Sequence, residues 1–410
     1  MKRILIVSQH FWPEQFRIND IVDYAIEHDF VIDVLCGRPN YPSGKLAEGY
    51  TLWNRRKEMH DGATLYRSLE IPRGNNSSVR IFLNYITFPL TSLLWVPRLL
   101  TNKYDAVFIY QLSPVYMGLA GLLIGKLKRI PTTTYVLDLW PENLYSVLPI
   151  KNVLARKFLR ASSVWFYKSS DKLIALSQQM RSHLLDVTGK PESRVIVIPQ
   201  IAERVYETRV SDQQLKRRFE GTFNLVYQGN ISPAQSLETI VEAAGILRSR
   251  GFSNMRWVIV GDGMARQEIE ALVQQRGLSE IFSFEGHHPI EDMPKYSEIA
   301  DVLIGGLVSS QMLEATIPAK VFSYIALGKP MVLAMDGEVA ALINDEVGCG
   351  FVGPTEDAQT FADNIQRVHD LSNADREALG RRGESYHQKY FKRELMMNTL
   401  LSFVQTESPR

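Results

Sequence analysis

The sequence has 410 residues, of which 45% are hydrophobic and 22% are charged, with a formal net charge of +1 and two cysteines. This length exceeds what one hydrophobic core usually supports, so two domains are expected, and the ordinary composition excludes a fibrous or disordered chain. Cys36 and Cys349 exclude a disulfide framework and suit a reducing compartment. No nucleic-acid partner is expected.

The small net charge hides an asymmetry between the two halves. Residues 1–200 carry 25 Lys and Arg against 16 Asp and Glu, whereas residues 201–410 carry 21 against 29. Two interpretations stay open. The excess is a chance distribution over solvated faces, or the first half meets something anionic, such as a membrane surface or a phosphorylated acceptor.

Three apolar stretches bear on localisation. The run Ile4–Val7 is too short for a signal peptide. The uncharged stretches 81–97 and 106–125 contain prolines and polar side chains, so neither is expected to span a membrane. The prediction is a cytoplasmic protein, with peripheral binding to the inner face of the cell membrane as a hypothesis.

The first half alternates strands and helices. Strands are predicted at residues 3–8, 31–36, 63–71, 106–110, 132–137, 172–176 and 194–198. Helices are predicted at residues 17–28, 79–101, 115–128, 151–169 and 177–187. A long loop is expected between residue 36 and residue 62. This alternation indicates a parallel sheet with helices on both faces.

The second half repeats the pattern after a linker at residues 199–206. Strands are predicted at residues 222–228, 255–260, 281–285, 301–304, 330–334 and 349–352. Helices are predicted at residues 234–250, 263–276, 291–299, 318–327, 337–344 and 356–370, with two more in the tail at 374–405. The predicted fold class is α/β, with Rossmann-like domains at 1–198 and 207–385 facing a cleft where strand ends would bind ligands.

One glycine turn follows the first strand of the second half, at Gly229-Asn230. Ser232 suits the N-cap of the next helix, Pro233 its first position and Gln235 its third, which together predict a capping box. Such a helix start offers free N–H groups to a diphosphate. A well-capped helix without any ligand explains the segment as well.

A second glycine turn, Gly261-Asp262-Gly263, resembles part of a dinucleotide-binding fingerprint. Arg266 occupies the third glycine position, so the match is short. The two glycines are candidates for a nucleotide site, and a simple tight turn between strand and helix is the alternative.

Lys320 lies in the first turn of a helix predicted to begin at Pro318 and end at Gly328. The helix dipole disfavours a cation there by roughly 0.3–1 kcal/mol, so an anionic partner such as a phosphate would explain it. A surface lysine that reaches solvent or a nearby carboxylate is the alternative. Glu314, just upstream, is a candidate for binding sugar or ribose hydroxyls, or else a surface residue.

Two candidate groups of the first half lie in loops that follow strands. Glu14 and Arg17 follow the first strand, and Arg17 is a candidate for an anion contact or for a local salt bridge with Asp20. Asp138 follows the strand 132–137 beside Trp140, which suits an active-site carboxylate or a cap for the next helix. No Asp-x-Asp motif and no zinc spacing occur in the sequence, so no metal or other cofactor is expected.

Together these segments resemble the family-4 glycosyltransferases of the GT-B fold, and most of all their WbuB-like branch, which is L-fucosamine transferase-like and serves bacterial surface-polysaccharide assembly. The resemblance covers essentially the whole chain. It is carried by Ile6–Glu14, Pro39–Lys45, Asp138–Glu142, Gly229-Asn230 with Ala234-Gln235, and Pro318-x-Lys320.

The resemblance implies a retaining hexosyl- or N-acetylhexosaminyl-type transferase, with the nucleotide sugar on the C-terminal domain and the acceptor on the N-terminal one. Residues 386–410 would form a helix that returns to the N-terminal domain. The expected donor is a UDP-linked, N-acetylated or deoxy sugar. The expected acceptor is a polyprenyl-diphosphate-linked saccharide of O-antigen, capsule or exopolysaccharide assembly. The basic first half and the apolar segment 79–101 favour docking on the membrane surface.

The resemblance also implies roles for individual residues. The predicted catalytic residues are Asp138, Lys320 and Glu314. The predicted donor and acceptor contacts are Gly229, Asn230, Gln235, Gly261, Gly263, Gly286, His287, Glu14, Arg17 and Ser323.

The chain departs from the family pattern at several positions. Asn230 and Gln235 stand near places where many members have Arg and Lys, and Ala315 and Ser323 replace the two glutamates of a Glu-x7-Glu pattern. The second glutamate usually binds ribose hydroxyls in the family. Two other hypotheses therefore stay open: a nucleotide-sugar 2-epimerase on the same scaffold, and a non-catalytic GT-B partner protein, which Ser323 favours.

Overall fold

A computed structural model describes residues 1–41, 43–74, 78–147, 150, 152–208 and 210–406. Pro42, which belongs to one of the segments that carry the resemblance, lies outside these residues. The chain divides into two compact units. Unit 1 comprises Met1–Pro199 and Met396–Arg410, and unit 2 comprises Gln200–Leu395.

Unit 1 contains one eight-stranded sheet. Its strands are β1 (Arg3–Val7), β2 (Val31–Cys36), β3 (Lys57–His60), β4 (Ala63–Arg67), β5 (Ala106–Gln111), β6 (Thr132–Val136), β7 (Lys172–Ala175) and β8 (Val195–Val197). Their order is β3-β4-β2-β1-β5-β6-β7-β8, and all pairs are parallel except β3 with β4. Seven of these eight strands, all except β3, confirm the strands predicted from the sequence.

The strand β3 was missed, and residues 57–60 were wrongly assigned to a loop. Its sequence Lys-Glu-Met-His alternates between exposed and half-buried positions. It pairs as an antiparallel edge with β4. An edge strand with polar side chains has no apolar run, so the hydrophobic pattern of the sequence gave no signal for it.

The helices of unit 1 before the tail lie between these strands. They are α1 (Arg17–Glu27), α2 (Ser78–Ser92), α3 (Val96–Leu100), α4 (Leu119–Lys128), α5 (Glu142–Val147), α6 (Val153–Ser169) and α7 (Gln178–Thr188). A 3-10 turn, Leu93–Trp95, joins α2 to α3, and another, Val115–Gly118, leads into α4. Among the described residues, one helical stretch, Val79–Leu100, is long and apolar enough to cross a membrane.

Unit 2 contains a six-stranded, all-parallel sheet. Its strands are β9 (Phe223–Gln228), β10 (Met255–Val260), β11 (Phe282–Gly286), β12 (Val302–Gly306), β13 (Met331–Ala334) and β14 (Gly350–Gly353), in the order β11-β10-β9-β12-β13-β14. All six confirm the prediction. Central strands such as β9 are buried along their whole length, as a parallel sheet covered on both faces requires.

The helices of unit 2 cover this sheet. They are α8 (Gln213–Arg218), α9 (Leu237–Ser249), α10 (Arg266–Gln275), α11 (Met293–Glu298), α12 (Gln311–Glu314), α13 (Ala319–Leu327), α14 (Glu338–Ala340), α15 (Ala358–His369) and α16 (Asn373–Tyr386). The short helices α5, α8 and α12 were not predicted, because four to six residues are too few for a helical period to be recognised.

The tail helix α17 (Arg393–Gln405) belongs to unit 1 from Met396 onward, and polar contacts hold it there. The Tyr24 hydroxyl of α1 donates to the Asn398 side chain at 3.1 Å. The Lys172 ammonium of β7 donates to the carbonyl groups of Val404 (3.1 Å) and Thr406 (2.8 Å). A cation at a helix C-terminus satisfies carbonyl groups that have no partner within the helix. Burial lowers the pKa of Lys172 to about 8.

Candidate functional site

Three neighbouring strands of unit 2 end in glycine turns that contact one another. The Gly229 N–H donates to the Val260 carbonyl at 3.0 Å, and the Gly261 N–H donates to the Gly286 carbonyl at 2.8 Å. Gly261 has φ +144°, and a Cβ atom there would lie 1.9 Å from the carbonyl oxygen of Gly229. A Cβ atom on Gly263 would lie 2.2 Å from the Ile231 carbonyl oxygen. Backbone packing therefore requires both glycines, and their contact with a nucleotide stays a prediction.

The predicted capping box at Ser232–Gln235 is wrong. Pro233–Gln235 forms a 3-10 turn in which, among the described residues, the Ser232 side chain makes no capping hydrogen bond. Ser236 follows in the left-handed conformation, with φ 46°, and the helix α9 begins at Leu237. The Gln235 side chain is turned away from the helix start and accepts hydrogen bonds from Lys320 and Tyr227. Tertiary contacts have replaced the local bond that the sequence predicted.

Lys320 lies in the first turn of α13, as predicted, and its side chain turns inward. Its ammonium group donates to the Tyr227 hydroxyl at 3.0 Å and to Oε1 of Gln235. It lies 4.2 Å from the centre of the Tyr227 ring. A Cβ atom on Gly229 would be 3.2 Å from its nitrogen. Lys320 is thus half-buried, and its ammonium group bonds to Tyr227 and Gln235 rather than to a carboxylate.

The environment of Lys320 leaves its charge uncompensated. Burial lowers its pKa to about 7. Within the described residues, no carboxylate lies within ion-pair distance of its ammonium group. A buried cation without a counter-charge is costly unless it neutralises or meets an anion. The position beside Lys320, Gln235 and Gly229 is thus suited to an anionic group.

The other predicted residues of unit 2 lie at varied distances from this group. The Asn230 carbonyl accepts a 2.8 Å hydrogen bond from the Tyr227 hydroxyl, which places Asn230 beside Lys320. His287 is exposed next to the Gly286 turn. Glu314 ends α12, where its carboxylate is 3.5 Å from the Ser309 hydroxyl. In the described part of unit 2, neither Glu314 nor His287 forms a hydrogen bond or an ion pair with Lys320.

Ser323 lies one helical turn after Lys320 and is buried. Its hydroxyl donates to the Glu203 carboxylate at 3.3 Å and to the Ala319 carbonyl at 3.4 Å. A carboxylate is therefore present at this position, although a distant segment supplies it. Sequence reasoning missed Glu203 because no local pattern connects residue 203 with residue 323.

In unit 1, Glu14 holds two loops together. Its Oε1 accepts the backbone N–H groups of Asn40 (2.6 Å) and Tyr41 (2.7 Å). Its Oε2 accepts from Nδ1 of His10 at 2.8 Å. The carboxylate of Glu14 is thus occupied by the loops after β1 and β2, which it positions.

His10 connects this carboxylate to a cation. Its ring stacks on Phe16 with the centroids 4.8 Å apart. Nη2 of Arg73 lies 3.2 Å from Nε2 of His10. With Nδ1 donating to Glu14, Nε2 is left to accept from Arg73, which assigns the neutral tautomer from its partners.

Glu70 forms a buried polar network behind this pair. Its Oε1 accepts from the side chains of Gln9 (2.9 Å), Asn40 (3.2 Å) and Asn84. Its Oε2 has no hydrogen-bond partner among the described residues. Burial raises the pKa of Glu70 to about 7, because the ionised form is poorly solvated there.

Asp138 follows β6, and it feels the charge of Arg73, the same arginine that bonds to His10. Its Oδ2 accepts from the Ser113 hydroxyl at 2.8 Å, and the Ser113 oxygen in turn accepts from the Trp140 indole at 2.9 Å. Burial raises the pKa of Asp138, while Ser113, Asn143 and the charge of Arg73 act in the opposite direction. A partly buried carboxyl with a raised pKa at the end of a parallel strand suits proton transfer.

Arg17 is the first residue of α1, and its charge acts on the buried Tyr135 of β6. The structure thus brings Glu14 and Asp138 to one edge of the sheet with His10, Glu70 and Arg73, which were not predicted. Their signal was available in principle, because each follows β1 or β4 and parallel strands end at a common edge.

Comparison with known proteins identifies the chain. Residues 32–201 match the model of "Glycosyltransferase Family 4", and residues 211–386 match that of "Glycosyl transferases group 1". This chain is a family-4 glycosyltransferase. It is 22% identical over 352 residues to the glycosyl transferase WcaI of Escherichia coli K12, which is named for colanic acid biosynthesis; the match covers 82% of this chain and 83% of WcaI.

Solved structures establish the fold of this glycosyltransferase as GT-B. HepE of Anabaena, in complex with UDP and glucose, superposes with a TM-score of 0.69 at 14% identity, over 98% of this chain and 99% of HepE. Sucrose-phosphate synthase of Thermosynechococcus elongatus superposes with a TM-score of 0.74 at 16% identity, over 98% of each chain. In the part of the glycosyltransferase that the structure describes, no group of three metal-ligating side chains lies together.

Proposed function

We propose that this glycosyltransferase transfers a UDP-linked sugar, N-acetylated or deoxy, to a lipid-linked saccharide with retention of configuration. Unit 2 would bind the donor and unit 1 the acceptor. We assign the chain to the WbuB-like branch and to the cytoplasmic assembly of O-antigen, capsule or exopolysaccharide. The name of WcaI, for colanic acid biosynthesis, and the HepE complex with UDP and glucose support this assignment.

The observation that carries the donor assignment is the uncompensated charge of Lys320. Its ammonium group lies beside Gly229 and Gln235 and has no carboxylate partner in the described structure. A diphosphate placed there would supply the missing negative charge. It would also restore the full positive charge of a lysine whose pKa burial has lowered to about 7.

The proposed reaction develops charge next to this cation. The bond between the sugar C1 and the diphosphate oxygen breaks, and its electron pair stays on the diphosphate. The acceptor hydroxyl oxygen forms the new bond to C1 on the same face, and its proton passes to the departing diphosphate oxygen. Lys320 would stabilise the leaving group, as electrostatic catalysis requires.

On the acceptor side we assign Asp138 to the reacting end of the saccharide. The carboxyl group is held by Ser113, and Arg73 lies close enough for its charge to lower the Asp138 pKa. Glu14 and His10 would act indirectly, because their contacts are with loops and with Arg73. Glu314 stays a predicted sugar contact of unit 2.

The donor site is tested by calorimetric titration of UDP into the whole chain and its Lys320→Met variant. Methionine keeps most of the side-chain volume and removes the charge. We expect about a 100-fold loss of UDP affinity, in line with a lost charge-assisted hydrogen bond. The control is Lys295→Met, since Lys295 forms a surface pair with Asp292. Equal affinity in Lys320→Met and the wild type would remove Lys320 from the site.

The reaction is tested by incubating the chain with a panel of nucleotide sugars and a polyprenyl-diphosphate-linked saccharide, with detection by mass spectrometry. Transfer of one sugar to the lipid-linked product supports the proposal. Donor turnover without acceptor would identify the epimerase instead. UDP binding without any turnover would leave a non-catalytic partner protein.

A further inference from the structure

Four helices of unit 1 form a continuous surface on one side of its sheet. α2 with α3, α4 and α6 connect strands in the direction from β4 to β7, whereas α1 connects β1 to β2 in the opposite direction. α7, which carries Arg181 and Asp186, continues in the first direction from β7 to β8 and borders this surface. Right-handed crossovers place connections of opposite direction on opposite faces. The packing agrees, because α2 and α3 contact α4, and α6 contacts the turn Val115–Gly118. We call the outer surface of α2, α3, α4 and α6 the basic helical face.

The helix α2 is fixed to unit 1 along one stripe only. Asn84, Phe88 and Ser92 are buried at successive turns, and the Asn84 side chain donates to Glu70 and to the Ile71 carbonyl. The opposite stripe is apolar and exposed. Its members, including the turn that follows α2, are Val79, Phe82, Leu83, Ile86, Leu90 and Leu94. A helix anchored in this way lies along the unit, so its apolar stripe faces outward.

The helix α6 shows the same division. Ser163, Phe166 and Tyr167 are buried, while Leu154 (77% exposed), Phe158 (70%) and Trp165 (56%) share the opposite stripe. Spacings of four and seven residues place these three side chains on one side of a helix. Leucine, phenylalanine and tryptophan on one stripe with lysine and arginine beside it are typical of helices that lie in a membrane interface.

The exposed apolar side chains are concentrated on this face. Of the twenty large hydrophobic side chains that are exposed among the described residues, eleven belong to the helices of the basic helical face, a twelfth, Leu94, lies in the turn between α2 and α3, and three belong to unit 2. Scattered exposed hydrophobic residues are normal on a soluble protein, but a contiguous group marks a binding surface.

The charges of the face have a single sign. Its four helices contain no Asp or Glu and eight basic residues: Arg80, Arg98, Lys126, Lys128, Arg156, Lys157, Arg160 and Lys168. By contrast, α1 on the opposite side of the sheet carries Asp20, Asp23 and Glu27. A second copy of the chain docked through this face would bring like charges together, so an anionic partner fits better.

We propose that the basic helical face lies on an anionic lipid surface, with the apolar stripes of α2 and α6 inserted among the lipid headgroups and the basic side chains on lipid phosphates. The combination of an outward apolar stripe with basic residues and no acidic ones matches a lipid bilayer. This proposal deepens the proposed function, on which the lipid nature of the acceptor rests, but vesicle binding itself requires no nucleotide sugar.

The test is co-sedimentation of the whole chain with vesicles of phosphatidylcholine, alone or mixed with phosphatidylglycerol. We expect binding to the mixed vesicles that weakens as sodium chloride is raised, because salt screens the basic residues. Binding should be at least about tenfold weaker to phosphatidylcholine alone, where the phosphatidylglycerol charge is missing. Equal binding to both vesicles, or binding to neither, would overturn the proposal.

Two paired variants separate the apolar and basic contributions. Phe158→Ser with Trp165→Ser, and Lys157→Glu with Arg160→Glu, change exposed side chains only, so circular dichroism should show unchanged folding. Each pair should lower partitioning onto mixed vesicles about tenfold or more. The control is Leu395→Ser, an exposed leucine of unit 2, which should bind as the wild type does. Wild-type partitioning in both paired variants would contradict the proposal.

Other occupants and the proposed function are distinguished with the same proteins. A dimer that dissociates in Phe158→Ser with Trp165→Ser, seen by light scattering without vesicle binding, would assign the face to a second copy. Lys320→Met should keep vesicle binding and lose UDP, whereas the paired variants should keep UDP and lose vesicles. Membrane binding through the basic helical face and UDP binding at Lys320 can therefore be disproved independently of each other.

Discussion

The two units share a doubly wound architecture and differ in what lies at the carboxyl edge of each sheet. In unit 2, three glycine turns and an uncompensated lysine face one another. In unit 1, the same edge carries carboxyl groups, a histidine and an arginine that satisfy one another. Depending on its loop residues, one topology can therefore present either a cation that lacks a counter-charge or a polar network whose hydrogen bonds are nearly all satisfied.

The largest expected effect tests whether the two edges have separate roles. Asp138→Asn should lower sugar transfer at least about 100-fold, the scale expected when a group that positions the reacting end of the substrate is lost. UDP affinity should stay at the wild-type value, because Asp138 belongs to unit 1. Transfer is measured by mass spectrometry and affinity by calorimetry. A parallel loss of both would show that the roles are not divided in this way.

The next prediction concerns the free energy of unfolding that unit 1 loses when the buried Glu70 carboxyl group is ionised. Its pKa is raised from 4.5 to about 7, so the folded state keeps a proton that the unfolded state releases. The free energy of unfolding should therefore fall as pH rises from about 4.5 to about 7, and stay low above that range. Glu70→Gln, which mimics the protonated form, should be more stable than the wild type by about 3 kcal/mol at about pH 8.

Chemical denaturation of Glu70→Gln and wild type at about pH 4.5 and about pH 8 measures this difference. The gain should vanish at the lower pH, where both side chains are neutral. An equal gain at both pH values would mean that ionisation of Glu70 is not its cause.

A smaller effect is expected in unit 2, where the protonation of Lys320 should make UDP binding depend on pH. With a pKa lowered to about 7, Lys320 is mostly neutral in the free protein at about pH 8, a pH at which UDP phosphates are fully ionised. Binding of a diphosphate should then take up about one proton, and UDP affinity should fall about tenfold per pH unit above 7. Calorimetry in two buffers of different ionisation enthalpy counts the proton. Lys320→Met should show no uptake.

The fold followed closely from the sequence, and the candidate site did so only in part. The alternation of apolar strands and amphipathic helices identified every strand except β3, whose polar edge sequence hides it. Lys320 was recognised because a cation in the first turn of a helix is unusual. Gln235 was assigned to a capping box and in the structure bonds to Lys320, since a partner 85 residues away competes with the local bond.

By itself, the sequence determined the two α/β units, the glycine turns and the position of Lys320 on α13, because these depend on residues close together in the chain. Only the tertiary structure decided that Glu203 reaches Ser323, that Arg73 joins His10, and that the apolar stripes of α2 and α6 share one face. The physical reason is that burial, charge compensation and the sharing of a surface depend on residues far apart in the chain. Local periodicity and capping patterns depend only on neighbouring residues and therefore do not identify those distant partners.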